Sequence, residues 1–165
     1  MPPRAAARYS PKEYKLVALR DCATQADNPC LDTPEAAAEY WRLNLPASKH
    51  FNPRVECFVV LFVNTRRRVI GHNVVATGTL DTILVHAREV FAPAIVANAA
   101  AVILMHNHPS GESNPSEADI KVTRDLIRGG QLLKVEVLDH VIMGHATERQ
   151  PKDYCSLREL GYFCI

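Results

Sequence analysis

The chain has 165 residues, of which 47% are hydrophobic and 22% charged, with a formal net charge of +1. That length and apolar content supply one compact domain with a sizeable core. The near-neutral balance argues against the broad basic footprint of a nucleic-acid-binding surface. No apolar run reaches membrane-spanning length, Met1-Pro2-Pro3-Arg4 does not open a signal peptide, and no internal repeat occurs. The cysteines (Cys22, Cys30, Cys57, Cys155, Cys164) are odd in number and lack Cys-x-x-Cys spacing. They fit a reducing, cytoplasmic setting better than a disulfide framework or zinc finger.

In chain order, Met1 to Ser10 reads as a loose tail, Tyr14 to Leu19 as an edge strand and Asp21 to Leu31 as a loop. Thr33 as N-cap and Pro34 at the first helical position start a helix to about Asn44. Trp41 within it is expected to pack. Both faces of Val55 to Val63 are apolar apart from Glu56, as in a central strand covered on both sides. Val69 to Ala76 pairs with it around Asn64 to Arg68, leaving Arg66-Arg67-Arg68 in a solvated turn. Thr82 to Ala100 reads as mainly helical, kinked or restarted at Pro93. The strand Val102 to Met105 follows, then a loop broken by Pro109, Gly111 and Pro115, then a helix from Glu117 to Arg128 stopped by Gly129-Gly130. Leu133 to Met143 supplies another strand, where His140 reads as a hydrogen-bonded core histidine, and Ser156-Leu157-Arg158-Glu159 lies in the tail.

The chemistry concentrates in His106-Asn107-His108 and the residues after it. Strand alternation puts the first and third residues of that triplet on one side. Neutral imidazoles suit Zn²⁺, and a third ligand of aspartate type leaves one position for water, as in catalytic rather than structural zinc sites. Ser116-Glu117-Ala118-Asp119 is also a good capping sequence. On a helical projection, however, Asp119 falls within the apolar arc beside Val122, Thr123 and Leu126. A carboxylate facing a core is costly unless it is paired or binds a metal. One aspartate can cap the helix and ligate an ion, and Asp119 reads as a ligand. A zinc deaminase would instead need His-x-Glu with Pro-Cys-x-x-Cys, which this chain lacks.

The pattern His-x-His-Pro, six residues, Ser-x-x-Asp resembles the JAMM motif of the MPN/JAB metallopeptidase superfamily. Its wording here, HNHPSGESNPSEADI, is similar to the RadC-like branch. The likeness extends through VECFVVLFVNTRRRVI and VATGTLDTILVHAREVF before the motif, and VLDHVIMG and YCSLRELGYF after it. It covers roughly Asn52 to Phe163 of a single MPN/JAB domain spanning 1–165, with 1–30 as an N-terminal extension. The resemblance implies an α/β fold, a mixed curved β-sheet flanked by helices in a cytidine-deaminase-like architecture. It implies Zn²⁺ held by His106, His108 and Asp119, a glutamate acting on the water, and Ser116 donating to the oxyanion. The superfamily places its glutamate at the start of an early strand, which matches Glu56 better than its rival Glu89, a residue that reads as helical.

The implied reaction is hydrolysis of a peptide or isopeptide bond in a peptide or protein substrate, including one conjugated to a modifier. Longer RadC-like proteins carry a helical N-terminal part resembling DNA-binding modules, and no such segment is expected here. A DNA-repair-associated accessory protein is therefore the alternative reading, and a catalytically silent zinc-holding scaffold the third. No membrane partner is expected.

Overall fold

A computed structural model describes residues 30–78, 85–148 and 150–163. The expected edge strand Tyr14 to Leu19, and the start of the helical stretch at Thr82, lie outside the described residues. Among those described, the elements run α1 (Pro34–Asn44), β1 (Cys57–Val63), β2 (Val69–Thr77), α2 (Ala87–Val96), β3 (Ala101–Asn107), α3 (Glu117–Leu133), β4 (Glu136–Met143) and β5 (Tyr154–Ser156). None of the described helices is long and apolar enough to cross a membrane.

The strands form one open α/β sheet in the order β2-β1-β3-β4-β5. It is mixed: β3 and β4 are parallel and the other neighbours antiparallel. Parallel neighbours cannot be joined by a tight turn, and α3 makes the crossover between them. Every residue of β1 and β3 is buried, which accounts for the uninterrupted apolar runs in both. On one face, Val59, Leu61, Val63, Ile103 and Met105 pack against Ala37, Ala38 and Trp41 of α1. On the other, Phe58, Val60, Val102 and Leu104 meet Val90 and Phe91 of α2 and Leu126 of α3. Three helices thus sandwich the sheet.

Local chemistry explains most boundaries. Thr33 Oγ1 accepts from Ala36 N–H at 3.3 Å, and Pro34 takes the first turn of α1 without losing a helical bond. Asn64 shapes the β1–β2 turn by accepting from the N–H groups of Arg66 (2.9 Å) and Arg68 (3.0 Å). Arg66, Arg67 and Arg68 are all exposed there. Pro93 sits inside α2, which does not restart at it.

Several boundaries differ from expectation: β1 begins at Cys57 instead of Val55, which leaves Glu56 just outside the strand, and α2 ends at Val96 instead of Ala100. β3 continues through His106 and Asn107 instead of ending at Met105, because those two residues still pair with Ile142 and Met143 of β4. β4 begins at Glu136, not Leu133. The cause is α3, which runs through Gly129-Gly130 to Leu133 and closes on Lys134 in the left-handed region (φ 58°). The N–H groups of Lys134 and Val135 both reach the Gly130 carbonyl, so the glycine lies inside the capping turn. A Cβ on Gly130 would stand 2.4 Å from the Val135 carbonyl oxygen. Its smallness serves close packing of helix end on strand start, not termination.

Alanine normally favours a helix over glycine by about 1 kcal/mol. Here the sign should reverse. G130A is expected to destabilise by about 1–3 kcal/mol in denaturant unfolding, as overpacking against fixed backbone does. G129A, whose Cβ would meet the Phe91 ring at 3.2 Å and Ala87 Cβ at 3.6 Å but no backbone atom, should cost less.

Candidate metal centre

His106 sits at the C-terminal end of β3, in register with Phe58 of β1 and Ile142 of β4. There β3 has an antiparallel neighbour on one side and a parallel one on the other, and crevices beyond strand C-termini are where open α/β sheets place their sites. The chain then turns: His108 N–H donates to the Met143 carbonyl at 2.9 Å, and His145 N–H to the Gly111 carbonyl at 2.7 Å. Gly111 has φ +87°, and a Cβ there would lie 2.5 Å from His145 Nδ1. The loop is thereby pinned onto the segment after β4. It delivers the chain to Ser116, the N-cap of α3, whose Oγ accepts from Asp119 N–H at 3.1 Å.

Three side chains converge. His106 Nε2 lies 2.9 Å from His108 Nε2. Asp119 Oδ1 is 3.2 Å from His106 Nε2, and Oδ2 is 3.5 Å from His108 Nε2. Donors arranged tetrahedrally at ~2.0–2.1 Å around an ion stand about 3.3–3.4 Å apart, and these separations straddle that edge. His108 Nδ1 is 2.7 Å from the Glu112 carbonyl oxygen, which can only accept. The proton of a neutral His108 is thus on Nδ1, and its Nε2 lone pair faces the cluster. Asp119 is held from behind, since Ser116 donates to Oδ2 from its N–H (2.8 Å) and its hydroxyl (2.6 Å). Two imidazoles and a carboxylate so arranged could hold a metal ion. Among the described residues this is the one cluster of histidine, cysteine, aspartate or glutamate with that property.

Electrostatics express the same convergence. Burial alone would raise the Asp119 pKa, but the His106 and His108 imidazoles set against its oxygens outweigh this and hold the carboxyl far below its usual range. The Asp119 carboxylate raises the pKa of His108 against the cost of burial, with the Glu112 carbonyl and the charge of Glu56 adding to it. Without a metal, a proton on His108 relieves the opposed lone pairs.

Glu56 lies half-buried immediately before β1, close enough for its charge to act on His108. Glu89 is an exposed residue in the first turn of α2, where its carboxylate accepts from His86 N–H at 3.4 Å. Ser116 stands at the rim in contact with Asp119.

Sequence reasoning gave Asn107 no role, yet its side-chain amide spans Glu56. Oδ1 accepts from Cys57 N–H at 2.9 Å, and Nδ2 donates to the Val55 carbonyl at 3.0 Å. The middle residue of His-Asn-His therefore fixes the backbone on both sides of the glutamate. His140, read as a core residue, is fully buried, and its Nε2 lies 2.8 Å from His106 Nδ1. Burial and the neighbouring His106 push its pKa well below the ordinary imidazole value. Its Nδ1 meets the hydroxyl of Thr123, equally buried, at 2.6 Å. A signal for both existed in the sequence: Asp139-His140 interrupts an apolar strand, and Thr123 is a polar residue on the apolar arc of its helix.

A RadC-like JAB domain model matches residues 31–162. The chain is 42% identical over 133 residues to a UPF0758 protein of Staphylococcus carnosus, covering 81% of this chain and 54% of that protein. It is 39% identical over 140 residues to one from Shouchella clausii (85% and 56%), and 41% identical over 107 residues to one from Methanosarcina mazei (65% and 44%). It spans about half the length of these relatives. With a family match from just before α1 to beyond β5, and three potential metal ligands gathered at the end of β3, this chain belongs to the RadC-like JAB domain family.

Proposed function

We propose that this chain is a zinc-dependent hydrolase of the JAMM type, cleaving a peptide or isopeptide bond in a protein or peptide substrate, including one joined to a modifier. One observation carries the reading: two imidazoles and a carboxylate, restrained by His140, the Glu112 carbonyl and the Ser116 cap, meet at 2.9–3.5 Å at the rim of the sheet. Zinc, when bound there, supplies Lewis acidity and makes water a competent nucleophile near neutral pH.

The chain's own residues do the rest. Glu56 takes a proton from the attacking water and delivers it to the nitrogen as the C–N bond breaks. Asn107 holds the Glu56 backbone in place from both sides. The Ser116 hydroxyl, turned from Asp119 Oδ2 to substrate, donates to the carbonyl oxygen as it becomes negative. A cleft of about 280 Å³ reaches His108 and is walled by Trp41, Phe51, Pro53 and Met143, giving the substrate an apolar approach.

The protein is expected to hold one zinc per chain, measured by elemental analysis, and H108A to lose it while keeping its fold. E56Q should keep its zinc and lose turnover by roughly 10²–10⁴-fold. Unchanged turnover would remove Glu56 from the mechanism, while a zinc-loaded parent without amide hydrolysis would favour the silent scaffold.

N107A should retain metal but lower kcat by roughly 10–100-fold, since small misplacements of a reacting group carry costs of that order. Kinetics alongside zinc content on the same preparation would check it.

A pH signature also follows. In the metal-free protein the folded-state pKa of His108 is raised, so its stabilising contribution is complete below the unfolded value of about 6.5 and disappears as pH rises through the folded one. Asp119 stays ionised throughout that window. Zinc competes with the His108 proton. Zinc loading should therefore raise the Tm more at pH 8.5 than at pH 6, read by thermal unfolding of matched samples.

A further inference from the structure

Behind His106 lies a chain of hydrogen bonds whose directions can be assigned from donor and acceptor chemistry. The Thr123 hydroxyl has one proton and two neighbours, the Asp119 carbonyl oxygen at 2.5 Å and His140 Nδ1 at 2.6 Å. A carbonyl can only accept. If Thr123 aimed its proton at His140, two oxygen lone pairs would oppose each other at 2.5 Å. Thr123 therefore donates to Asp119, and His140 Nδ1–H donates to Thr123.

The consequence passes to the other side of the ring. His140 is wholly buried, and the ring of Phe58 lies edge-on to it while stacking on His106 (centroids 5.5 and 6.0 Å). A neutral ring is the inexpensive form in that setting. With its proton on Nδ1, His140 Nε2 is an acceptor and can be satisfied only by a proton on His106 Nδ1, 2.8 Å away. That proton leaves His106 Nε2 bare, pointing at His108 and Asp119.

We propose that Thr123 and His140 are positioning residues, a buried relay from the α3 backbone through β4 that fixes the tautomer of His106 with its Nε2 lone pair committed to the metal centre. The relay starts at the carbonyl of Asp119, another member of the centre, so the helix that carries one ligand also sets the protonation pattern of a second. The inference takes the metal-binding reading of the three residues as its purpose, but the tautomer itself exists with or without the ion.

The test begins with ¹⁵N NMR of the imidazoles in the metal-free full chain at pH 8.5. Protonated Nδ1 and bare Nε2 on both His106 and His140 are expected; a protonated Nε2 on His106 in the neutral ring would overturn the proposal. T123V keeps the side-chain shape but removes the acceptor of the His140 proton, freeing that ring to adopt the opposite tautomer. Its affinity for Zn²⁺, from chelator competition, should fall roughly 10–100-fold, as loss of a ligand's supporting partner does, and T123S should restore it. Zn²⁺ affinity unchanged in T123V also overturns the relay. Should T123V fail to fold, the NMR of the parent and the affinity of T123S still decide. Were the parent to bind no Zn²⁺ at all, the metal reading would fall while the NMR still reported the tautomer, so the two failures are separable.

Discussion

Two imidazole nitrogens 2.9 Å apart, with a carboxylate alongside, form an arrangement that favours a cation between them. Neutral rings facing each other through lone pairs repel, and a proton or a metal at the centre relieves that repulsion. Everything near the site works to keep those lone pairs there. The Glu112 carbonyl accepts a hydrogen bond from His108 Nδ1–H. Ser116 grips the Asp119 carboxylate with its backbone and its hydroxyl. The sheet holds His106 at a buried strand end, where its ring cannot rotate into solvent. The centre is preorganised at the expense of electrostatic comfort, which is how a site comes to favour a cation over empty space.

The fold supplies the rigidity. β3 is bracketed by β1 and β4 and covered on both faces, so its last residues are held by pairing on both edges and by burial. A side chain at that end inherits the order of the core. α3 contributes from the opposite direction: as the crossover between two parallel strands it must begin near the end of β3, which brings its N-terminus over His106. Asp119 thus approaches the histidines as a consequence of parallel connectivity. The helix N-terminus adds its own preference for negative charge to that carboxylate.

Some of this was legible in the residues. Thr33-Pro34 marks the start of α1 by capping chemistry alone, and the apolar runs of β1 and β3 mark buried strands. The spacing of His106, His108 and Asp119 pointed to the cluster, because strand alternation put the two histidines on one side and helical projection turned Asp119 toward the core. Other features could not be read. Gly129-Gly130 looks like a helix stop until Val135 is found pressed against it. His140 and Asn107 are remote in sequence from the groups they serve: Asn107 is 50 residues from Cys57, and His140 is 34 from His106. Short-range periodicity carries no information on pairings at that range.

The sequence by itself determined which atoms could bind a metal and which segments could be buried, since both follow from side-chain chemistry and local repeat. Tertiary structure alone decided what stands behind each of those atoms. The direction of a hydrogen bond through Thr123 and His140, and the clasp of Asn107 on either side of Glu56, depend on strand order and register. Those are cooperative outcomes of packing a whole sheet between helices, and no local stretch of residues encodes them.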